Sequence, residues 1–440
     1  MTRNLTAVVM AGGLGTRMKS ATPKHLHPLL GRRMVDWVIE AACPLGPDPL
    51  VVIASPDSAD AFPGQKVAVQ EHARGTGDAV ASARAALADH DGDVLILSGD
   101  TPLLTSALLE ALLDAHRTAD AAATVLSFAP ADVRSYGRIV RDSVGGLRAI
   151  VEAVDASAEE LAIGEVNSSI YVFRGEKLWP ALERLEPHNA QGELYLTDAV
   201  RHLVDDGDHV AVFEAPDPAE TEGVNTRVEL AAAAAALRDR INEAHLLAGA
   251  GIVDPASTWI DPTVTLEADS VIHPFTVLRG ATTVAAGAEV GPHVVAVDSE
   301  IGPGVTVGPF CYLRPGTVLE EGAKAGTFVE LKQAKIGKRT KVPHLSYLGV
   351  AEVGDDTNIA AGNVTVNFAH VPGTPKGKTK IGSNVRTGVD NAFVAPVEIG
   401  DDAWIAAGSV ITDDVPAGAL AIARSRQVNK EGHVDKKRND

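Results

Sequence analysis

Residues 301–331 read IGPGVTVGPFCYLRPGTVLEEGAKAGTFVEL, with an aliphatic or small residue at every sixth position: Ile301, Val307, Leu313, Leu319, Ala325 and Leu331. A period of six fits neither the helical repeat of about 3.6 nor the alternation of a strand. The frame slips by one at Ile336, resumes at Val342 and Leu348, slips again at Val353 and reaches Ile359. After an irregular stretch it returns at Ile381, Thr387, Phe393, Ile399, Ile405 and Ile411. Glycine follows the periodic residue at Gly302, Gly308, Gly337, Gly382 and Gly400, as turns between short strands require. This is the hexapeptide signature of a left-handed parallel β-helix, whose repeats bury their aliphatic residues only by stacking.

Residues 253–300 carry a looser version of the pattern and are expected to form the first coils. The interruption at residues 366–380, containing NFAHVPGTPKGKTK, is too polar and basic for a core and predicts a projecting loop, a usual place for function on repeat proteins. The charged tail from Gln427 is expected to lack structure. Upstream, RVELAAAAAALRDRINEAHLLA (227–248) has neither Gly nor Pro and six consecutive alanines, which predicts a linking helix. Residues 5–225 alternate apolar runs (LTAVVM, PLVVIA, KVAVQ, DVLILSGD) with helix-like stretches such as SALLEALLDAH. That is α/β patterning, a Rossmann-like domain with a mainly parallel sheet. The expected division is 1–226, a helical linker 227–249, and a β-helix with charged tail 250–440.

The chain has 440 residues, 45% hydrophobic and 22% charged, which is globular composition for more than one domain. No stretch approaches the ~20 apolar residues of a membrane span, and MTRNLTAVVMAGG reads as a first strand rather than a secretory signal. Cys43 and Cys311 are the only cysteines and lie far apart, which excludes a disulfide framework and fits a reducing cytoplasm. A formal charge of −19 argues against nucleic acid as partner, so anionic small substrates would need locally clustered Arg and Lys.

Such a cluster begins at MAGGLGTRM (10–18), directly after the first predicted strand and followed by Pro23, Lys24 and His27. Met10, Ala11, Gly12 and Gly13 can bring backbone N–H groups to a phosphate, and Arg17 and Lys24 can neutralise a triphosphate; the alternative is an ordinary Gly-rich strand–helix turn, against which the Arg and the Pro-Lys at these offsets speak. The spacing fits neither the dinucleotide fingerprint nor the Walker loop. Ser98, Gly99 and Asp100 follow the strand DVLIL, where ligands of α/β sheets bind. A lone carboxylate beside a triphosphate suits Mg²⁺; the alternative is that Asp100 only caps the next helix.

MAGGLGTRM…PKHLH, Gln70 with Gly75-Thr76-Gly77, SGDTPL, YGRIV, IVEAVDA, Asn167 and EGVNTR resemble the bacterial N-acetylglucosamine-1-phosphate uridylyltransferase/glucosamine-1-phosphate acetyltransferases in order and spacing. By that resemblance Gln70, Gly75 and Thr76 read uracil. Gly137, Glu152 and Asn167 hold the acetamido sugar, and Asp100 with Asn225 holds Mg²⁺. The sugar phosphate would then attack the α-phosphorus of UTP in line, with catalysis by positioning and charge neutralisation. The chain departs from the family at Asp78, where His is usual, and at Ala153-Val154, where His-Lys is usual.

On the prism, Arg314 and Lys332 lie one coil apart and should line one face as a phosphate holder; alone they would read as a solvated basic ladder. His344, Tyr347 and Lys376 complete the polar set. HLSYLG (344–349) resembles the family's acetyltransferase segment, which makes His344 the base that deprotonates the amine of glucosamine 1-phosphate. The same resemblance assigns Arg314, Lys332, Tyr347 and Asn358 to the sugar phosphate, and Ala361, Asn367, Phe368, Val389, Ala407 and Arg424 to acetyl-CoA. Phe368 stands where Tyr is usual, Val389 where Ser is, and Ala369-His370 where Asp-Gly is. It also implies a homotrimer. Two rivals stay open: a nucleotidyltransferase whose β-helix only trimerises, and an ADP-glucose or GDP-mannose type pyrophosphorylase with a regulatory β-helix, for which HLSYLG would have no purpose.

Overall fold

The computed structural model describes residues 3–439 apart from 14, 88, 89, 134 and 369–372. Contacts divide the chain into two compact units, Met1–Leu237 and Arg238–Asp440, so the boundary falls within the helix Arg227–Leu247.

In the first unit the described strands form a sheet whose main order is Val210–Glu214, Ala123–Phe128, Val166–Arg174, Asp93–Ser98, Leu5–Met10, Leu50–Ala54, Lys66–Val69. The four strands from Asp93–Ser98 to Lys66–Val69 are parallel, as the apolar runs predict. Val166–Arg174 runs antiparallel to both neighbours, an exception that its sequence does not signal. Alternating side chains supply two cores: Val8 and Ile96 face one side, Ala7, Val9, Leu95 and Leu97 the other. The helix Ser106–Thr118 starts where Thr105 Oγ1 accepts from Leu108 N at 3.2 Å, and it buries Leu108, Leu109, Leu112 and Leu113. Its last turn is tied to the sheet by Arg117, whose Nε donates to buried Asp93 at 2.8 Å.

The second unit is a parallel β-helix. Short strands stack in register, for example Trp259 on Val277 on Val295 on Tyr312 on Glu330 on Tyr347. Every periodic residue from Ile301 to Ile411 is buried except Thr387, which is half-buried; its hydroxyl accepts from Ala360 N at 2.9 Å. Residues 253–300 are more regular than their composition suggests: Ile260, Leu266, Ile272, Leu278, Val284, Val290 and Ala296 keep the six-residue period, all buried. At one corner Phe275, His293, Phe310 and Phe328 adopt left-handed backbone and stack ring on ring, with centroids 4.8, 4.8 and 5.3 Å apart. The register passes over the irregular stretch by pairing Tyr347 with Val364 and Val364 with Ala392; residues 369–372 of the expected projecting loop lie outside the described residues. The tail differs from expectation: His433–Asn439 is helical, with Lys436, Lys437 and Arg438 in its last turn, where positive charge favours a helix end.

The helix Arg227–Leu247 has no pronounced apolar stripe, and its packing is local. Ala233 and Leu237 join Leu29, Met34, Leu103 and Val224 in a small core. Arg238 lies over the Trp259 ring at 5.0 Å, and Asn242 Nδ2 donates to Pro255 O and Thr258 O.

Candidate functional sites

The first site is a cleft of about 500 Å³ at the C-terminal edge of the parallel strands, lined in part by Met10, Gly12, Gly13, Lys24, Gln70, Gly75, Thr76, Ser98 and Asp100. Lys24 Nζ stands 2.5 Å from Asp100 Oδ2 and 3.1 Å from Asn225 Oδ1. Arg17 Nη2 donates to the same Asn225 oxygen at 2.9 Å, and Ser98 Oγ donates to Asp100 Oδ1 at 2.6 Å. Burial would raise the Asp100 carboxyl, but Lys24 above all, with His25 and Ser98, holds it at about 2, so it is a carboxylate at neutral pH. Two oxygens already converge on one cation there. Among the described residues no cluster of three or more His, Cys, Asp or Glu could hold a metal, so a divalent ion would take its remaining ligands from phosphates and water. The donor set fits such an ion.

Glycine is needed at two points of this cleft. Gly75 has φ +115°, and a Cβ there would meet Leu194 O at 2.5 Å. A Cβ on Gly99 would meet Met10 O at 2.7 Å. Next to the cleft, Gly137, Glu152 and Asn167 come together: Asn167 N donates to Gly137 O at 2.8 Å, and Glu152 Oε2 lies 3.4 Å from where a Cβ on Gly137 would stand. Asn167 Nδ2 donates to Tyr171 Oη at 2.7 Å. Burial first, then Asp155, Asp198 and Glu193, raises the Glu152 carboxyl. Ala153 and Val154 are partly exposed and exposed respectively beside it. Five lining residues escaped the sequence reading: His25, Ala73, Ala79, Ser169 and Glu193. His25 is buried, pushed down to about 4 by burial and by Lys24, and therefore neutral; its place beside Lys24 in PKHLH was the available signal.

The second site lies on the β-helix. The pairing Tyr312↔Glu330 and Lys332↔Gly349 stacks Arg314, Lys332 and Gly349 on successive coils. Arg314 Nη1 is held by Glu330 at 2.8 Å. The ammonium of Lys332 is pushed down by Arg314 and next by Lys376, so three cations crowd together as an anion site requires. Lys376 is anchored there by the next residue, Gly377, whose backbone N donates to Asn367 O at 3.1 Å. Tyr347 Oη and Asn367 Nδ2 both stand over Gly349, where a Cβ would meet them at 2.2 and 2.8 Å. Asn367 Nδ2 is buried and unpartnered among the described residues.

A second column runs along a corner. Thr327 pairs with His344, Lys341 with Asn358, Asn358 with Arg386, and Thr387 with Ile405. The same register stacks His344, Ala361, Val389 and Ala407, with Asp390 N donating to Ala361 O and Gly408 N to Val389 O. Arg424 continues it, its Cδ 3.7 Å from a Cβ built on Gly408. Asn358 belongs to the strand column of Lys341 and Arg386, apart from Arg314 and Lys332. Phe368 is exposed, and Ala369 lies outside the described residues.

Residues 7–210 match the family model of the MobA-like NTP transferase domain. Over nearly its full length the chain is similar to proteins named bifunctional protein GlmU. It is 48% identical to that of Streptomyces coelicolor (99% of this chain, 95% of the relative). It is 46% identical to those of Mycolicibacterium vanbaalenii (99% and 94%) and Brevibacillus brevis (98% and 97%). With a nucleotidyltransferase cleft in one unit, a basic cluster and a histidine column in the other, and likeness that spans both, this chain belongs to the bifunctional GlmU family.

Proposed function

We propose that the two sites divide the family's two reactions between them, acetyl transfer on the β-helix and uridylyl transfer in the cleft of the α/β unit. The enzyme acetylates glucosamine 1-phosphate from acetyl-CoA and couples N-acetylglucosamine 1-phosphate to UTP, giving UDP-N-acetylglucosamine and pyrophosphate. The observation that carries the cleft assignment is the convergence of Asp100 and Asn225 oxygens on Lys24 Nζ.

In the cleft, backbone N–H groups of residues 11–13 and the cations of Arg17 and Lys24 hold the triphosphate, while Gln70, Gly75 and Thr76 hold the base. Gly137, Glu152 and Asn167 orient the acetamido sugar so that its phosphate oxygen reaches the α-phosphorus in line. The family uses a divalent metal and acetyl-CoA; we assign the metal as Mg²⁺, with Asp100 and Asn225 as its protein ligands. When bound it neutralises charge on the phosphates.

On the β-helix, Arg314, Lys332 and Lys376 take the sugar phosphate, with Tyr347 as a further contact; Asn358, on a separate strand column, is not assigned to that phosphate. The amine nitrogen bonds to the acetyl carbonyl carbon and the C–S bond breaks. His344 takes the nitrogen proton and returns it to the leaving thiolate. Ala361, Asn367, Phe368, Val389, Ala407 and Arg424 form the acetyl-CoA contact line. Support comes from the crowding of cations around Lys332 and the single corner column that joins His344 to Ala407 and Arg424.

We further assign the residues before the linking helix to the uridylyltransferase domain and those after it to the acetyltransferase domain, the protein to the cytoplasm, and the assembly to a homotrimer through the β-helix. No helix among the described residues is long and apolar enough to cross a membrane. Incubation with glucosamine 1-phosphate, acetyl-CoA, UTP and Mg²⁺ should yield UDP-N-acetylglucosamine, CoA and pyrophosphate. Turnover of N-acetylglucosamine 1-phosphate but not glucosamine 1-phosphate would instead mark a nucleotidyltransferase with a structural β-helix.

A further inference from the structure

At Asp78 the chain departs from the family, and the cleft shows what the departure does. Gln70 is 8% exposed, and its Nε2 donates to Gly75 O at 3.2 Å and to Asp78 Oδ2 at 2.9 Å. Both neighbours of that end of the carboxamide are oxygens that only accept. The end they face must therefore be the NH₂ group. Arg74 Nη2 binds the other carboxylate oxygen, Oδ1, at 2.6 Å and so aims Oδ2 at Gln70. Gln70 Oε1 is left facing Gly12, 3.2 Å from where a Cβ on that residue would stand, on the cleft side.

We propose that Asp78 is a positioning residue for nucleotide choice: by pinning the Gln70 amide it fixes Oε1 as a hydrogen-bond acceptor toward the base and so favours UTP over CTP. This rests on the reading of the cleft as the UTP site with Gln70 at the base. Uracil presents an N3–H donor where cytosine presents a bare N3 acceptor. A free carboxamide turns over about its terminal torsion, which is roughly two-fold, and serves either base. With Asp78 in place the turned form would set Oε1 against the Asp78 carboxylate and the Gly75 carbonyl together. Discrimination thus comes from penalising the form that cytosine needs.

The test is kcat/KM for UTP and for CTP with N-acetylglucosamine 1-phosphate, read by pyrophosphate release, in the full-length enzyme and in Asp78→Ala, Asp78→Asn and Gln70→Ala. Loss of one pinning hydrogen bond should shrink the UTP/CTP ratio about tenfold in Asp78→Ala. Asp78→Asn keeps one oxygen, which Arg74 also needs, and its amide can turn to offer Nδ2 to Gln70, so it should lose the ratio as Asp78→Ala does, while acetyl transfer and melting stay at wild-type values in both. Equal losses for UTP and CTP in Asp78→Ala would mean a merely structural role and would overturn the inference, as would a ratio within about twofold of wild type. Gln70→Ala separates the two layers. If it leaves the ratio unchanged, the base is not read by Gln70 and the assignment falls with it; if it collapses the ratio while Asp78→Ala does not, only the role of Asp78 is lost.

Discussion

Asn391 Nδ2 donates to Asn363 Oδ1 at 3.0 Å across a sequence gap of 28 residues, where neighbouring coils are separated by 17 or 18. Both asparagines are buried, and Asn391 also donates to Gly388 O and accepts from Ser409 N. The pair carries the coil register past the irregular stretch.

Asn391→Ala should therefore destabilise the β-helix by about 3 kcal/mol, because it leaves the Ser409 N–H and Asn363 Oδ1 without partners inside the prism, while Gly388 O keeps the bond from Asn363 Nδ2. Calorimetry should show the β-helix transition moving down while UTP turnover at 25 °C is retained.

Asp100→Ala should abolish uridylyl transfer and leave acetyl transfer largely intact. Losing the proposed metal ligand and the partner of Lys24 at a transferring phosphoryl group should raise the barrier by several kcal/mol, each ~1.4 kcal/mol being tenfold in rate. Near wild-type pyrophosphate release at saturating Mg²⁺ would contradict the assignment.

Removing residues from about 250 onward should leave a folded, UTP-active fragment of lower oligomeric state. The α/β unit has its own two-sided core, whereas the repeats carry the exposed corner of Phe275, Phe310 and Phe328. Light scattering decides this, and a trimeric fragment would refute it.

His344→Ala separates a base from a structural histidine. The side chain is exposed, so melting should be unchanged. A positioned base contributes roughly 10²–10⁴-fold, so acetyl-CoA turnover should drop at least about a hundredfold. Supplying N-acetylglucosamine 1-phosphate should restore UDP-sugar formation by the same variant.

Asp93 sets an acid limit on the first unit. Burial alone would raise its carboxyl, yet His116 and Arg117 hold it at about 2, below the ordinary 3.8. The unfolded chain binds the proton first as pH falls, so this contribution is complete above pH 3.8 and is lost as pH drops toward 2. It amounts to about 2 kcal/mol. In urea melts across that window, Asp93→Asn should be less stable at neutral pH and show a flatter acid slope.

The sequence shows the prism because each coil repeats one local rule, an aliphatic residue inside every six, and the structure buries all but Thr387 of those named. The rule was just as strict from Ile260 to Ala296, where Pro, His and Thr between the periodic residues masked it. The parallel strands were legible as apolar runs, but the reversed Val166–Arg174 was not, because pairing direction depends on partners far away in sequence. Cleft-lining residues inside contiguous motifs, such as Asp100 and Lys24, were readable. Placing Asn358 on a different strand column from Lys332 required the register slips to be counted in three dimensions. The hold of Asp78 on Gln70 joins a strand end to a helix, and spacing alone does not reveal which end of an amide faces a carboxylate.

The column of Phe275, His293, Phe310 and Phe328 has a mechanical consequence. Its rings form a seam on the outside of coils that are already joined through their interior, so neighbouring turns are fastened at two radii. A cylinder fastened in that way resists torsion far better than one held at its axis alone. The separation of Arg314 and Lys332, which follow Phe310 and Phe328 on those coils, is then a fixed dimension.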